Sequence, residues 1–276
     1  MPFEIDSEIC LRDGICVQAC GRRIIELGEE ELPQPATGAE ELCIDCGHCM
    51  AACPSGALVL RSMSLERCPE IREELLISPE QAEQFFRSRR SIRGYKDLPV
   101  EKEKLEKLIE WAGYAPSAHN RRPVRLLVLH GREEVSRVAE QVVEWMKGIM
   151  ERAPSVAKEF HFDRVVSGWE EGLDPVCRSA PCLVFAHADQ DARLAQVDCV
   201  LTLGYMELAA PVLGLGATWA GYVMAAADNS PRVAKTLDLP KGHKLHGALM
   251  IGYPALNFVR VPFREPPETV WRGTNK

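Results

Sequence analysis

The chain has 276 residues, a formal net charge of -7 at pH 7 and 26% charged residues. Its acidic balance argues against a nucleic-acid or anionic-membrane partner, because both demand a basic face, and its length suits one large domain or a small one beside a medium one. No N-terminal stretch has the basic-then-apolar pattern of a signal peptide, so a cytoplasmic protein is expected.

Residues 1–72 are rich in cysteine: of 11 in the chain, seven lie between Cys10 and Cys53. Two short apolar runs, 23–27 and 57–60, flank an acidic, proline-containing stretch. Runs this short bury little core, so metal clusters are expected to hold the segment together. A disulfide scaffold would need a secretory context. Residues 64–76 read as linker or short helix.

From Ser78 the character changes. Ser78-Pro79-Glu80-Gln81 is a capping box with proline at the first helical position, so a helix starts here. Leu105, Leu108, Ile109 and Ala112 recur at helical spacing as far as Gly113. Residues 124–129 predict a strand closed by Gly131, and Val135 to Ile149 an amphipathic helix. A second strand is predicted over 182–187 and a helix, apolar nearly all round, over 195–213. The wider window 195–216 contains Gln196, Asp198 and Glu207, costly at bilayer depth, so a buried helix is expected rather than a membrane span. Residues 217–224 and 246–252 predict two more strands, separated by a helix opening at Ser230-Pro231. Helices alternating with buried strands imply an α/β or α+β sheet flanked by helices.

Cys43, Cys46, Cys49 and Cys53 stand at spacings of two, two and three residues and are followed by Pro54. This is the bacterial ferredoxin run, in which three thiolates converge on one cubane and the fourth points toward a second cluster. A structural zinc site more often pairs two separated knuckles. The run is foreshadowed upstream. Cys10, Cys16 and Cys20 repeat the positions of Cys43, Cys49 and Cys53, with Asp13 where Cys46 stands in the twin. Residues 10–60 resemble two-cluster bacterial ferredoxins. Their crossed ligation implies one cluster on Cys43, Cys46, Cys49 and Cys20. The other would use Cys10, Cys16 and Cys53, with Asp13 as a harder fourth ligand or a vacant corner, and hence a possible 3Fe-4S form. Cys68, Cys177, Cys182 and Cys199 lack ligand-like spacing and read as structural.

Arg87, Arg89, Arg90 and Arg93 crowd the end of the capped helix, where cations favour the terminus and where arginine also clamps phosphate. Arg89-Arg90-Ser91-Ile92-Arg93 resembles the N-terminal signature of nitroreductases, whose loop holds the phosphate and ribityl chain of FMN. The resemblance assigns Arg89, Arg90, Ser91 and Arg93 to the cofactor. Further on, Ala115-Pro116-Ser117-Ala118-His119-Asn120-Arg121-Arg122-Pro123 is similar to that family's segment reaching the flavin from the other subunit of a dimer. Pro116, Ser117, Ala118, Asn120 and Arg122 are its cofactor residues, with Arg122 in place of the usual Gln and Val124 in place of Trp. Leu213 to Gly221 resembles the element whose backbone lines the isoalloxazine, through Trp219, Ala220 and Gly221. Its glycines follow a helix and precede a strand, the reverse of a dinucleotide fingerprint. Downstream of Gly252-Tyr253-Pro254, Arg260 and Arg264 match the closing phosphate contact, with Pro262 where the family has a basic residue.

The expected protein is α+β, with a ferredoxin-like two-cluster domain over 1–72. A nitroreductase-like FMN domain over 78–276 follows, its central sheet flanked by helices. By resemblance it is a homodimeric FMN-dependent oxidoreductase that passes electrons between iron–sulfur clusters and FMN to reduce or oxidise a small organic substrate. A ferredoxin-like protein or NAD(P)H would be the external partner. The alternative is an electron relay without a substrate of its own. No catalytic side chain is identified, since the cofactor carries the redox chemistry.

Overall fold

Left-handed turns shape the cysteine-rich part of the chain. In the computed structural model, which describes residues 1–273, the chain divides into two compact units. One is Met1–Leu76 with Pro116–Arg122, the other Ile77–Ala115 with Pro123–Lys276. In the first, β1 (Phe3–Ile5) precedes α1 (Ile15–Ala19), β2 (Ile25–Leu27), β3 (Pro33–Pro35), α2 (Ala39–Leu42), α3 (His48–Ala51) and β4 (Leu58–Leu60). Strand β1 pairs antiparallel with β4, and β2 with β3. Elements this short are marginal by themselves. They close over Phe3, Ile24, Ile25, Met50, Leu58 and Leu60, with Cys16 and Cys49 in the same cluster.

The sequence repeat is also a backbone repeat. Helices α1 and α3 start from Gly14 (φ 69°) and Gly47 (φ 78°). Arg12 and its twin Asp45 are left-handed (φ 56° and 49°), as are Arg23 and its twin Gly56 (φ 53° and 67°). Three pairs of matched turns place Asp13 at the same backbone position as Cys46. Residues 64–76 form two 3-10 turns, Leu65–Arg67 and Glu73–Leu75.

In the second unit, α4 (Pro79–Ser88) starts from the Ser78–Gln81 capping box, with both reciprocal bonds present. Next come α5 (Lys102–Ala112), β5 (Arg125–His130), α6 (Arg132–Arg152), α7 (Pro154–Glu159), α8 (Phe162–Glu170) and β6 (Cys182–Asp189). After these follow α9 (Ala195–Ala209), β7 (Gly216–Trp219), α10 (Gly221–Asn229), α11 (Pro231–Leu237) and β8 (His243–Gly252). The sheet order is β5-β6-β8-β7, antiparallel throughout.

Strand β6 is buried from Cys182 to Ala188 because helices cover both its faces. Leu183 and Phe185 pack with α6, α8, α10 and α11, while Cys182, Val184 and Ala186 pack with α5 and α9. That alternation is the period of two a strand imposes. Cys177, Cys182 and Cys199 are fully buried.

Two departures from the sequence reading have local causes. Residues 217–224 do not continue as a strand: the Ala220 amide donates to Ala248 O (2.9 Å) and the chain turns into α10. The run Ala225-Ala226-Ala227 favours helix and outweighs the β-branched Val223. Helices α7 and α8 were not predicted. Helix α7 is too short to show a period, and Pro154 marks only where it begins; α8 does carry Phe162, Val165, Val166 and Trp169 at helical spacing and is legible in the sequence. Helix α9 buries Ala195, Asp198, Cys199, Leu203 and Met206 but leaves Val197, Val200, Leu201 and Tyr205 exposed. Among the described residues, no helix is long and apolar enough to cross a membrane.

A bulge between Ala186 and His187 puts His187 Nδ1 2.8 Å from His243 Nδ1. Burial, then His243, then Arg125 lower the His187 pKa below its ordinary value of 6.5. The unfolded chain therefore takes up this proton at a higher pH than the folded one. Stability should be fullest above about pH 6.5 and fall as acid is added. His187→Gln should flatten the decline in denaturation midpoint between pH 7.5 and 5.5; an identical decline would assign it to other groups.

Candidate functional site

Cysteines from both half-motifs surround each of two spaces in the first unit. A cavity of about 320 Å³ is lined by Cys20 together with Cys43, Cys46 and Cys49. A nearly closed cleft is lined by Cys10, Asp13, Cys16 and Cys53. Each set thus takes one cysteine from the opposite half of the repeat. All eleven cysteines are free thiols.

Burial pushes the Cys49 thiol up to about 11, and the neighbouring Cys20 and Cys46 thiols add to the rise. Cys43 and Cys16 are raised chiefly by burial, with the other thiols of their own sets contributing. Burial opposes ionisation of Cys53, but the amides of Leu58, Ala57 and Ser55 and the Ser55 hydroxyl outweigh it and lower the pKa.

Among the described residues, no three His, Cys, Asp or Glu side chains converge on a single metal ion. Thiolates at the corners of a cubane have no need to meet at one point, and soft sulfur donors in this number suit iron–sulfur clusters. The first set therefore fits. In the second, Asp13 is exposed and its Oδ1 accepts from Ile15 N (3.1 Å), at the start of α1.

Segment Pro116–Arg122 belongs to this unit. The Asn120 amide donates to Ile44 O (3.0 Å) and Asp45 O (2.8 Å), the backbone between Cys43 and Cys46. His119, Asn120 and Arg122 are left-handed (φ 51°, 53° and 46°), a conformation asparagine and histidine tolerate better than arginine does. Ser117 Oγ helps to hold the turn by accepting from Arg122 N (2.9 Å). Pro116 and His119 are exposed, while Ser117, Ala118 and Asn120 are half-buried. Sequence reading directs Asn120 to the flavin; here its amide holds the cysteine loop. Asn120→Ala removes two hydrogen bonds worth about 1 kcal/mol each. Amide exchange over residues 43–47 should accelerate roughly tenfold or more, and unchanged exchange would show that the loop holds itself.

In the second unit, the first arginine motif meets the third glycine motif. Ile92 N donates to Ala217 O (3.0 Å). The close approach needs Gly216, where a Cβ would lie 2.3 Å from Ile92. Arg89 pairs with Glu207 of α9 at 2.8 Å, both side chains being largely buried, and the other Glu207 oxygen accepts from Trp219 Nε1 (3.3 Å). Glu207 was visible in the sequence as a carboxylate in an apolar helix; its two partners were not. The Trp219 ring lies over Gly247, where a Cβ would meet it at 3.0 Å.

Arg90 sits over the Phe258 ring, 5.8 Å from its centroid. Arg260 and Arg264 are exposed on irregular chain after β8. Ser91 is half-buried and Arg93 exposed. Gly221 opens α10, whose first-turn amides have no intrahelical partners.

Arg93, Trp219 and Gly221 line one cavity of about 570 Å³. Its other walls include Trp145 and Ile149 of α6, Phe160 and Phe162, Tyr222 of α10 and Met250 of β8. Phe162 lies 5.5 Å from Trp145 and 6.2 Å from Tyr222 between ring centroids. A volume in the range of ligand pockets, an apolar aromatic lining, an arginine (Arg93) without an ion pair among the described residues and free helix amides suit a flat, partly anionic ring system such as a flavin. Arg93 lines this cavity with Trp219 and Gly221; Arg89 is tied to Trp219 through Glu207, and neither it nor Arg260 and Arg264 is a lining residue.

Family profiles match residues in both units. The profile of the nitroreductase family matches residues 86–253, and that of the 4Fe-4S dicluster domain residues 9–57. A Thermus thermophilus protein named NADH dehydrogenase is 30% identical over 178 residues, 60% of this chain and 83% of that protein. The FMN reductase (NAD(P)H) of Bacillus subtilis is 30% identical over 185 residues, 66% of this chain and 68% of that protein. The crystal structure of a nitroreductase with bound FMN from Bacteroides fragilis shares the fold. Its TM-score is 0.57 at 20% identity, over 70% of this chain and 99% of that one.

Proposed function

The chain belongs to the nitroreductase family, with a 4Fe-4S dicluster domain ahead of the nitroreductase domain, and from that premise we propose that it passes electrons between iron–sulfur clusters and FMN to convert a small organic substrate. When bound, the clusters supply single electrons and FMN supplies one- or two-electron chemistry. The working division is a cluster domain over 1–72 and a flavin domain over 78–276, the last three residues lying outside those described.

The residues divide the work. Arg89, Arg90, Ser91, Arg260 and Arg264 would hold the cofactor phosphate and ribityl chain, with paired donors suited to an anion. Arg93 would face the N1–C2=O edge, favouring negative charge there, and the α10 amides from Gly221 would face the N5 and C4=O side. Cys20, Cys43, Cys46 and Cys49 would hold one cluster. Cys10, Cys16 and Cys53, with Asp13 or a vacant corner, would hold the other. The exposed apolar stripe of α9 would be covered by a second copy in a homodimer, whose Pro116–Arg122 segment would complete the flavin site.

The cavity beside the two flavin motifs carries this reading: a relay has no need of an aromatic chamber of about 570 Å³. Anaerobic turnover decides it. With NAD(P)H or a reduced ferredoxin as donor, the purified protein should reduce a nitroaromatic or quinone catalytically. Reduction of its own centres with no small acceptor consumed would leave the relay.

A further inference from the structure

Arg178 lies outside every motif described so far, yet it lines the same cavity. It is half-buried and makes no side-chain hydrogen bond or ion pair among the described residues. Its placement is built. Asp174 accepts from the amides of Val176 (3.1 Å), Cys177 (2.7 Å) and Ser179 (2.9 Å), so its carboxylate is committed to the backbone. The turn so formed holds Arg178 and Ser179 left-handed, at φ 59° and 54°. Two such residues in succession are strained, and strain of this kind persists where surrounding bonds over-determine it.

Trp145 lines the same cavity. Its indole Nε1 is buried and has no acceptor among the described residues. A buried donor without a partner is costly, and an unpaired guanidinium beside aromatic walls is a strong receptor for a carboxylate. Arg93 also lines this space without a side-chain hydrogen bond or ion pair among the described residues, but the flavin reading commits it to the cofactor. Arg178 and Trp145 remain.

We propose that Arg178, with Trp145, selects the substrate: a planar aromatic compound bearing a carboxylate or similar anion, its ring against Phe160, Phe162 and Tyr222. This rests on the flavin reading of the cavity and extends it to a substrate class. The acceptor is then recognised by charge at one end and by ring stacking along its body.

The test uses oxidised holoprotein without an electron donor. FMN per chain is measured first, in wild type and in Arg178→Ala and Arg178→Gln. Binding of 4-nitrobenzoate and of its uncharged methyl ester is then followed by perturbation of the flavin absorbance.

Wild type should bind the carboxylate roughly tenfold or more tighter than the ester, the range expected of a charged hydrogen bond. Added salt should narrow that gap. Both variants should retain FMN at the wild-type level and lose the preference. Trp145→Phe should weaken carboxylate binding more than ester binding. The proposal is overturned if wild type shows no preference, or if either folded variant keeps it. Loss of FMN from both variants would also overturn it, by making Arg178 a cofactor ligand. A flavin-free wild type would instead remove the premise, a failure distinct from the others. The wild-type comparison and its salt dependence stand even if a variant does not fold.

Discussion

Replacing Cys20 by Ser should strip iron from the cluster of Cys43, Cys46 and Cys49, not from the one in its own half of the sequence repeat. Cys20 lines the cavity of the downstream set, while Cys53 lines the cleft of the upstream set. Serine oxygen is a harder and poorer ligand for this iron than thiolate. Iron should fall by about four atoms per chain on loss of a whole cubane, and the paramagnetic resonance of the other cluster should persist. Cys53→Ser should give the reciprocal result. Uncrossed losses, Cys20 with Cys10 and Cys16, would contradict the arrangement. Asp13→Cys belongs to the same series. It places a thiol at the backbone equivalent of Cys46, and should make the upstream cluster resist ferricyanide under conditions where wild type is expected to lose iron to a 3Fe-4S form. An unchanged signal would confine Asp13 to its bond with Ile15 N.

The second large effect is expected at Arg89. In the proposed site it serves two anions, Glu207 and the cofactor phosphate. Arg89→Ala removes a charged hydrogen bond to the cofactor, worth about 1.5–3 kcal/mol, or roughly ten- to a hundredfold in FMN affinity. It also leaves Glu207, whose side chain is 15% exposed, with only the Trp219 indole as partner. A doubly substituted protein, Arg89→Ala with Glu207→Gln, separates the two effects. Stability should recover, because no uncompensated charge remains, while FMN affinity stays low. If affinity recovers as well, Arg89 acts only through Glu207 and does not touch the phosphate. Unchanged FMN affinity in Arg89→Ala would leave Arg89 as the ion-pair partner of Glu207 alone.

Features stated by neighbouring residues were legible in the sequence. The capping box at Ser78 places the start of α4, and the apolar run from Cys182 marks the buried strand β6. The repeat in cysteine spacing returns as matched left-handed turns at Arg12 and Asp45 and at Gly14 and Gly47. Features depending on what the chain meets in three dimensions were less legible. Residues 220–224 fit strand or helix by composition, and the bond from Ala220 to Ala248 O decides between them. Glu207 acquires meaning only when Arg89 and Trp219 approach it. Arg178 has no motif: its position depends on Asp174 spending its carboxylate on three amides. Asn120 lies in a motif directed at the flavin, yet its side chain is occupied by the carbonyls of Ile44 and Asp45.

If iron–sulfur clusters and a flavin share electrons within this protein, they titrate as one pool. An anaerobic reductive titration with dithionite, with iron, sulfide and FMN quantified on the same sample, tests it most directly. About one FMN and seven to eight iron atoms per chain are expected, accepting about four electrons, with flavin and cluster absorbance changing together until they equilibrate. A colourless protein containing zinc, or a yellow one that takes up two electrons and holds no iron after reconstitution, would contradict it.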